Sequence, residues 1–236
     1  MSEPALSEIV AGRIFALERP VKFGGVWLRV RTSVVRLEDG TLLIHSPAPP
    51  TEPLTQALAK LGEVRWLVVP NCFHHLGTPA AAAAFPKAKV VAPKSAAARN
   101  PALRIDIDLA DPALNEALPE LLRIPLEGVP FLDETLLYHR PTETLFGADA
   151  ALWADARDHW SWRFAARLTG CYQRLSVPPD VRKKVVDKAA AGRSIGKLQG
   201  LSIQRLIIGH GAVVEDSALS RLTEAWRKVG VSPEAG

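Results

Sequence analysis

The stretch LVVPNCFHHLGTP, residues 67–79, carries more information than any other in the chain. An apolar run, beginning upstream as VRWLVVP, enters a proline; an asparagine, a cysteine and two adjacent histidines follow, then Leu76-Gly77. A continuous apolar run of this length is the pattern of a strand buried on both faces. A strand end that opens into a loop is where an α/β scaffold places its chemistry. The chain has only six histidines, so two side by side at such a place call for a reason.

Working outward, the residues before this stretch alternate apolar and polar with period two, and VVRLEDGTLLIH reads as a hairpin turning at Glu38-Asp39-Gly40. TEPLTQALAKLG is expected to be a short helix, with Thr51 as its cap, Pro53 in its first turn and Gly62 ending it. Beyond the histidines, TPAAAAAFP reads as a helix, AKVVAP as a buried strand, LPELLRIPLE as a strand, and ETLLYHRPTETLFGAD as a hairpin turning at residues 139–142. Residues 153–200 are expected to be helical and basic, IQRLIIGHG returns to a buried strand, and DSALSRLTEAWRKVG is an amphipathic helix capped by Asp216 or Ser217 and stopped by Gly230. Interleaved strands and helices without a linker-like stretch point to a single layered α/β domain over residues 1–236.

Composition excludes some classes. Apolar residues make up 47% and charged residues 23%, as in an ordinary globular protein. No apolar run approaches the roughly 18–20 residues of a membrane span, so no membrane partner is expected. The first residues, MSEPALSEIVAG, lack the basic and apolar regions of a signal peptide. Cys72 and Cys171 do not make a disulfide framework, and a cytoplasmic location is expected. The net charge is +4, yet residues 156–200 carry ten Lys or Arg against three Asp, a local +7 that leaves about −3 elsewhere. That segment reads either as a solvated helical face or as a surface for an anionic ligand. Arg163, Arg167 and Arg174 share one helical face, provided the helix continues through Gly170.

Two further strand ends resemble the first. Asp149 follows ETLFGA, and His210 follows QRLIIG. Singly, each residue has an ordinary structural role: a helix cap for Asp149, packed or solvated imidazoles for the histidines, a small buried hydrophobe for Cys72. Together, three strand ends deliver His-His, Asp and His, a nitrogen and oxygen donor set suited to zinc first, or to iron or manganese.

These segments, in this order, resemble the metallo-β-lactamase superfamily. TLLIHSP is similar to its early strand end, VVPNCFHHLGT to its metal loop, TLFGAD to its aspartate segment and LIIGHG to its last histidine, over about residues 12–229. More narrowly, VVRLEDGTLLIHSP, VVPNCFHHL and LIIGHG resemble the domain-of-unknown-function family 4336, which is related to that superfamily. The resemblance implies a four-layer αββα sandwich, with 153–200 as a basic helical insertion. It also implies a degenerate metal centre. Pro70, Cys72 and Val129 stand where the superfamily's other histidines would be, and His74 where the loop has an aspartate. One metal position is thereby lost. The other keeps counterparts in His74, His75, Asp149 and His210, which implies at most one divalent metal per chain, or none if the histidines simply bond to Asp149. His45 replaces an aspartate that supports the metal loop, and Cys72 is a second supporting candidate, or a thiolate nucleophile or extra ligand.

The function implied is metal-dependent hydrolysis of a small anionic substrate, with His74 and Asp149 as catalytic candidates and Arg163, Arg167 and Arg174 as ligand-binding candidates. Two other readings stand beside it. One is a non-catalytic binding protein on the same fold; the other is nucleic-acid processing, which the basic segment favours and the helical spacing of Trp153, Trp160, Trp162, Phe164 and Tyr172 disfavours. Substrate and oligomeric state are open at this level.

Overall fold

A computed structural model describes residues 5–234 of the chain. The first four residues of the leading segment read above, and the last two of the expected domain, lie outside the described range. The chain divides into two compact units, Met1–Arg19 with Arg31–Leu114, and Pro20–Val30 with Asn115–Gly236.

The first unit is built on a seven-stranded sheet in sequence order: β1 (Ser7–Val10), β2 (Ile14–Phe23), β3 (Val26–Arg36), β4 (Leu42–His45), β5 (Val64–Val68), β6 (Lys89–Ala92) and β7 (Ile107–Asp108). β2 and β3 run on into the second unit, where their tip turns at Gly24-Gly25. The hairpin read at Glu38-Asp39-Gly40 is present: β3 and β4 pair antiparallel, and Gly40 supplies the left-handed turn residue at φ 79°. From β4 onward the strands are parallel. Parallel neighbours need crossovers, supplied by α1 (Glu52–Leu61) and α2 (Thr78–Ala84); α3 (Lys94–Arg99) precedes β7. α1 has the caps its sequence promised: Thr51 accepts from the Leu54 amide, and Gly62 follows the last turn. Leu42, Ile44, Leu67, Val90 and Leu58 pack into one buried cluster, which explains the unbroken apolar runs of β4, β5 and β6. α3 and the two-residue β7 gave no sequence signal, because neither is long enough to show a period.

The second unit holds a four-stranded sheet in the order β11 (Arg205–Ile207), β10 (Thr144–Phe146), β9 (Thr135–His139), β8 (Leu121–Pro125). β8, β9 and β10 are antiparallel neighbours, and β11 returns parallel to β10. A short helix α4 (Leu114–Ala117) precedes them. The basic stretch is less helical than its sequence implied. It contains α5 (Trp160–Thr169), α6 (Pro179–Arg182) and α7 (Lys188–Gly196), while Leu152, Trp153 and Ala154 make isolated strand bridges. Gly170 ends α5 in the left-handed conformation at φ 76°, so the helix does not continue to Arg174. The terminal helix α8 (Ala218–Arg227) is not capped by the side chain of Ser217, which adopts φ 54°. Among the described residues no helix is long and apolar enough to cross a membrane.

Candidate metal centre

In the first unit, parallel pairing sets His45 beside Val68, so β4 and β5 end together. Ser46 continues β4 in a left-handed conformation, φ 55°, and its amide bonds to the Val68 carbonyl at 2.9 Å. The loop after Pro70 is then wound by Asn71. This side chain is fully buried, and its Oδ1 accepts from the amides of Phe73 and His74, both at 2.9 Å. Such an Asx turn gives the loop amides a partner without a ladder. Gly77 closes the loop against residues 47–49: a Cβ there would lie 2.2 Å from the Pro47 carbonyl oxygen.

The adjacent histidines diverge. His74 Nδ1 lies 2.9 Å from Ser46 Oγ, toward the end of β4. His75, 7% exposed, turns toward the end of α3, with Nδ1 3.2 Å from Asn100 Nδ2. Burial, then Arg99 and His74, hold the His75 imidazole below its ordinary pKa. His45, also buried, has Nδ1 3.4 Å from the same Ser46 Oγ, and burial with the neighbouring His74 pushes its pKa down to about 3. It is therefore a neutral imidazole beneath the loop. Cys72 is buried as well, at 2% exposure.

In the second unit, the parallel register Phe146↔Ile207 makes β10 and β11 end side by side. The pairing continues past both strands, with the Gly147 amide on the Ile207 carbonyl at 2.9 Å and the Gly209 amide on Ala148 at 3.1 Å. Asp149 and His210 thus emerge as neighbours, Oδ1 to Nε2 3.2 Å. His210 Nδ1 lies 3.2 Å from the carbonyl oxygen of Arg29, a geometry in which the Nδ1–H donates. Gly211 has φ 127°, and a Cβ there would stand 1.9 Å from the Trp153 carbonyl oxygen, so the second glycine of GHG is a steric requirement.

Glu134 is the residue that sequence reading missed. Its carboxylate is 2% exposed and accepts three backbone amides: Ala148 at 2.8 Å and Ala150 at 3.2 Å on Oε1, Asp149 at 2.8 Å on Oε2. Three N–H donors around one buried carboxylate fix the loop that carries Asp149. The only sequence signal was an acidic residue immediately before an apolar strand, which reads equally well as a turn. The hairpin tip is secured in turn: Arg29 pairs with Asp155 at 3.2 Å and with Asp158 at 3.3 Å. Burial acts to raise the Asp155 pKa, but hydrogen bonds from Arg157 and the nearby Arg29 outweigh it and hold the carboxyl at about 2.

Val129 is buried, at 1% exposure. The three arginines read as ligand-binding candidates do not form one row. Arg163 donates to the Ala156 carbonyl, Arg167 to the Arg163 carbonyl while stacking 3.7 Å over Tyr172, and Arg174, beyond the end of α5, to the Gly170 carbonyl.

Comparison with known proteins agrees with this architecture. The model of the family described as Domain of unknown function (DUF4336) matches residues 11–97, a span that includes β2 through β6 and the double-histidine loop. No curated protein sequence gives a significant match. Among solved structures, a metallo-β-lactamase from Erythrobacter litoralis with β-mercaptoethanol in its active site superposes with a TM-score of 0.69 at 14% identity, over 97% of this chain and 98% of its own. The FIM-1 enzyme of Pseudomonas aeruginosa in its mono-zinc form gives 0.66 at 12% identity, over 98% and 97%. A metallo-β-lactamase from Pontibacter korlensis gives 0.64 at 14%, over 95% and 99%. The two mixed sheets with their helices therefore have the metallo-β-lactamase fold, and the relationship expected from PNCFHHL, TLFGAD and LIIGHG is borne out.

Proposed function

We propose that the chain is a metal-dependent hydrolase of a small molecule with a mononuclear centre, whose donors, taken from the set read in the sequence, are His74, Asp149 and His210, the last two already paired within the second unit. The observation that carries this reading is the Asp149–His210 pair. Its imidazole has Nδ1 on a backbone carbonyl, and its carboxylate stands on a loop held by the buried Glu134. An orienting carbonyl behind a histidine is the usual support of a metal ligand and has less purpose in a plain hydrogen bond. His74, with Nδ1 on Ser46, has the same kind of support, whereas His75 turns to Asn100, and we leave it out of the proposed donor set. Three donors leave room that four would fill, which favours an open position. Zinc suits two imidazoles and a carboxylate best, with iron and manganese as alternatives. The mono-zinc form of FIM-1 gives a precedent for single occupancy on this fold.

When bound, such an ion polarises a carbonyl or phosphoryl oxygen and acidifies water. The chain supplies the rest. Asp149 has two carboxylate oxygens, one of them toward His210, and the second can accept the proton of an attacking water. The Arg29 carbonyl and Glu134 keep His210 and Asp149 from turning away. Two neutral imidazoles and one carboxylate around a divalent ion leave a charge of about +1, which favours an anionic substrate. Metal analysis of protein purified without chelators, followed by a screen of esters, thioesters, lactones and phosphodiesters, tests the proposal. One equivalent of metal with chelator-sensitive turnover is expected. Protein that contains no zinc, iron or manganese and whose melting ignores added metal rules it out.

A further inference from the structure

Helix α5 has two apolar faces. Trp162 and Ala166 are buried in a cluster with Leu152, Ala154 and Cys171. Trp160, Phe164 and Leu168 recur every four residues on the other side and are 67%, 62% and 74% exposed. Residues four apart share one face of a helix. Single exposed apolar residues need no explanation, but three large ones in register on a helix do. The hairpin tip extends the patch. Trp27, 41% exposed, donates its amide to Ser161 Oγ at 3.1 Å, and its ring lies 6.5 Å from that of His159, which is 5.6 Å from Trp160. Val26 and Leu28 pack against the buried cluster, so the tip is seated on the helix rather than trailing from it.

Charge identifies the occupant. α5 contains Arg163 and Arg167 and no acidic residue, and Arg157 precedes it. The acids nearest in sequence, Asp155 and Asp158, are engaged by Arg157 and Arg29. The apolar face is therefore edged by cations. A second copy of the chain, meeting this face about a two-fold axis, would set Arg163 and Arg167 against their own duplicates. An anionic lipid surface satisfies both components: Trp27 and Trp160 at headgroup depth, Phe164 and Leu168 toward the acyl chains, the guanidinium groups on phosphate. With ten residues, α5 is too short to span and can only lie in the interface. We infer that α5 and the 20–30 hairpin tip dock reversibly on anionic bilayer surfaces. The sequence expectation of no membrane partner rests on the absence of a spanning run, which says nothing of a ten-residue interfacial helix.

The test uses the full chain and large unilamellar vesicles of phosphatidylcholine, with and without phosphatidylglycerol. Wild type is expected to co-sediment with the anionic vesicles, with a blue shift of tryptophan emission, and to bind pure phosphatidylcholine at least about tenfold more weakly. Trp160→Ser with Phe164→Ser and Leu168→Ser should weaken binding to anionic vesicles roughly a hundredfold. Arg163→Gln with Arg167→Gln should lower it about tenfold and leave the phosphatidylcholine value unchanged. Because the three apolar side chains are exposed, melting temperature and circular dichroism should match wild type, which separates loss of docking from misfolding. Wild type that stays in the supernatant, or a triple serine variant that binds as tightly as wild type, overturns the inference. Wild type that ignores vesicles but elutes as a dimer dissolved by the same variant assigns the face to a second copy instead.

Discussion

The double-histidine loop and the Asp149–His210 pair solve the same problem by different means. In the loop, the hydrogen bonds described above are to neutral groups: the Asn71 amide oxygen, the Ser46 hydroxyl and the Asn100 amide, with the uncharged His45 beneath. Around the pair, the support is a buried carboxylate that takes three backbone amides, with the Arg29–Asp155–Asp158 ion pairs behind the strand whose carbonyl meets His210. Charged hydrogen bonds are roughly twice as strong as neutral ones and are costly to break one-sidedly. The second region should therefore be the stiffer platform, and the first the one that tolerates substitution and adjusts to a metal.

The sharpest way to break this contrast is to remove one donor at a time. Asp149→Ala or His210→Ala should take bound metal from one equivalent to none and bring the melting temperature of metal-loaded protein down to that of chelator-treated protein. His74→Ala should do the same, while His75→Ala should keep the metal. Metal content measured after dialysis decides it. If His75→Ala empties the protein and His74→Ala does not, the divergence of the two imidazoles has been assigned the wrong way round.

Next in size is the support of each region. Glu134→Gln keeps the shape but turns an NH₂ group toward backbone amides that need an acceptor. A loss of about 3 kcal/mol in denaturant unfolding is expected, with metal affinity down roughly 10–100-fold. Asn71→Ala, the counterpart in the loop, removes one neutral acceptor from two amides and should cost about 1–2 kcal/mol. Equal costs would erase the difference between charged and neutral support.

Much of this was legible in the residues. VRWLVVP and QRLIIG announced the buried strands β5 and β11, and the histidines read as candidate donors stand just beyond their ends. Glu134 was not legible, because its role depends on three amides 14–16 residues later that only the β9–β10 hairpin folds back onto it. Nor could the sequence separate His74 from His75: neighbours in a loop have no period, and their directions are set by Ser46 and Asn100, far away along the chain. Residues 153–200 carry three helices, and they depart from a continuous helical reading for a local reason. Apolar residues at helical spacing in ALWADARDHW are used instead for bridges at Leu152, Trp153 and Ala154, and Gly170 stops the one helix of the segment that carries Arg163 and Arg167.

Acid should separate the regions by pH. His45 has its pKa at about 3 in the folded protein and near 6.5 when unfolded. As pH falls below the unfolded value, the unfolded state takes up a proton that the folded state refuses until about 3, so stability drops through that window. The slope is up to about 1.4 kcal/mol per pH unit for this one group, and the lowered pKa of His75 adds to it in the same direction. Asp155 acts later: its contribution is complete above 3.8 and is lost as pH falls toward about 2. Urea unfolding in the presence of chelator, between pH 7 and 5, should show the His45 slope in wild type and a shallower one in His45→Gln. An unchanged slope would mean that His45 is not the buried neutral base of the loop.

The smallest expected effect tests the neutral support itself. Ser46 Oγ lies 2.9 Å from His74 Nδ1 while the Ser46 backbone sits at φ 55°, where a side chain is strained. Ser46→Ala removes the hydroxyl and keeps the strain, so about 1 kcal/mol should be lost. Ser46→Gly removes the same hydroxyl but relieves the backbone by about 1 kcal/mol, so its stability should stay near wild type. Metal affinity follows a different rule. It depends on what orients His74, not on the backbone, so both variants should bind metal more weakly by a similar factor of up to about ten. A competitive chelator titration reads that factor and denaturant unfolding reads the other. Glycine that restores both stability and affinity would show that Ser46 serves the turn alone, and that His74 takes its direction from the Asn71-wound loop.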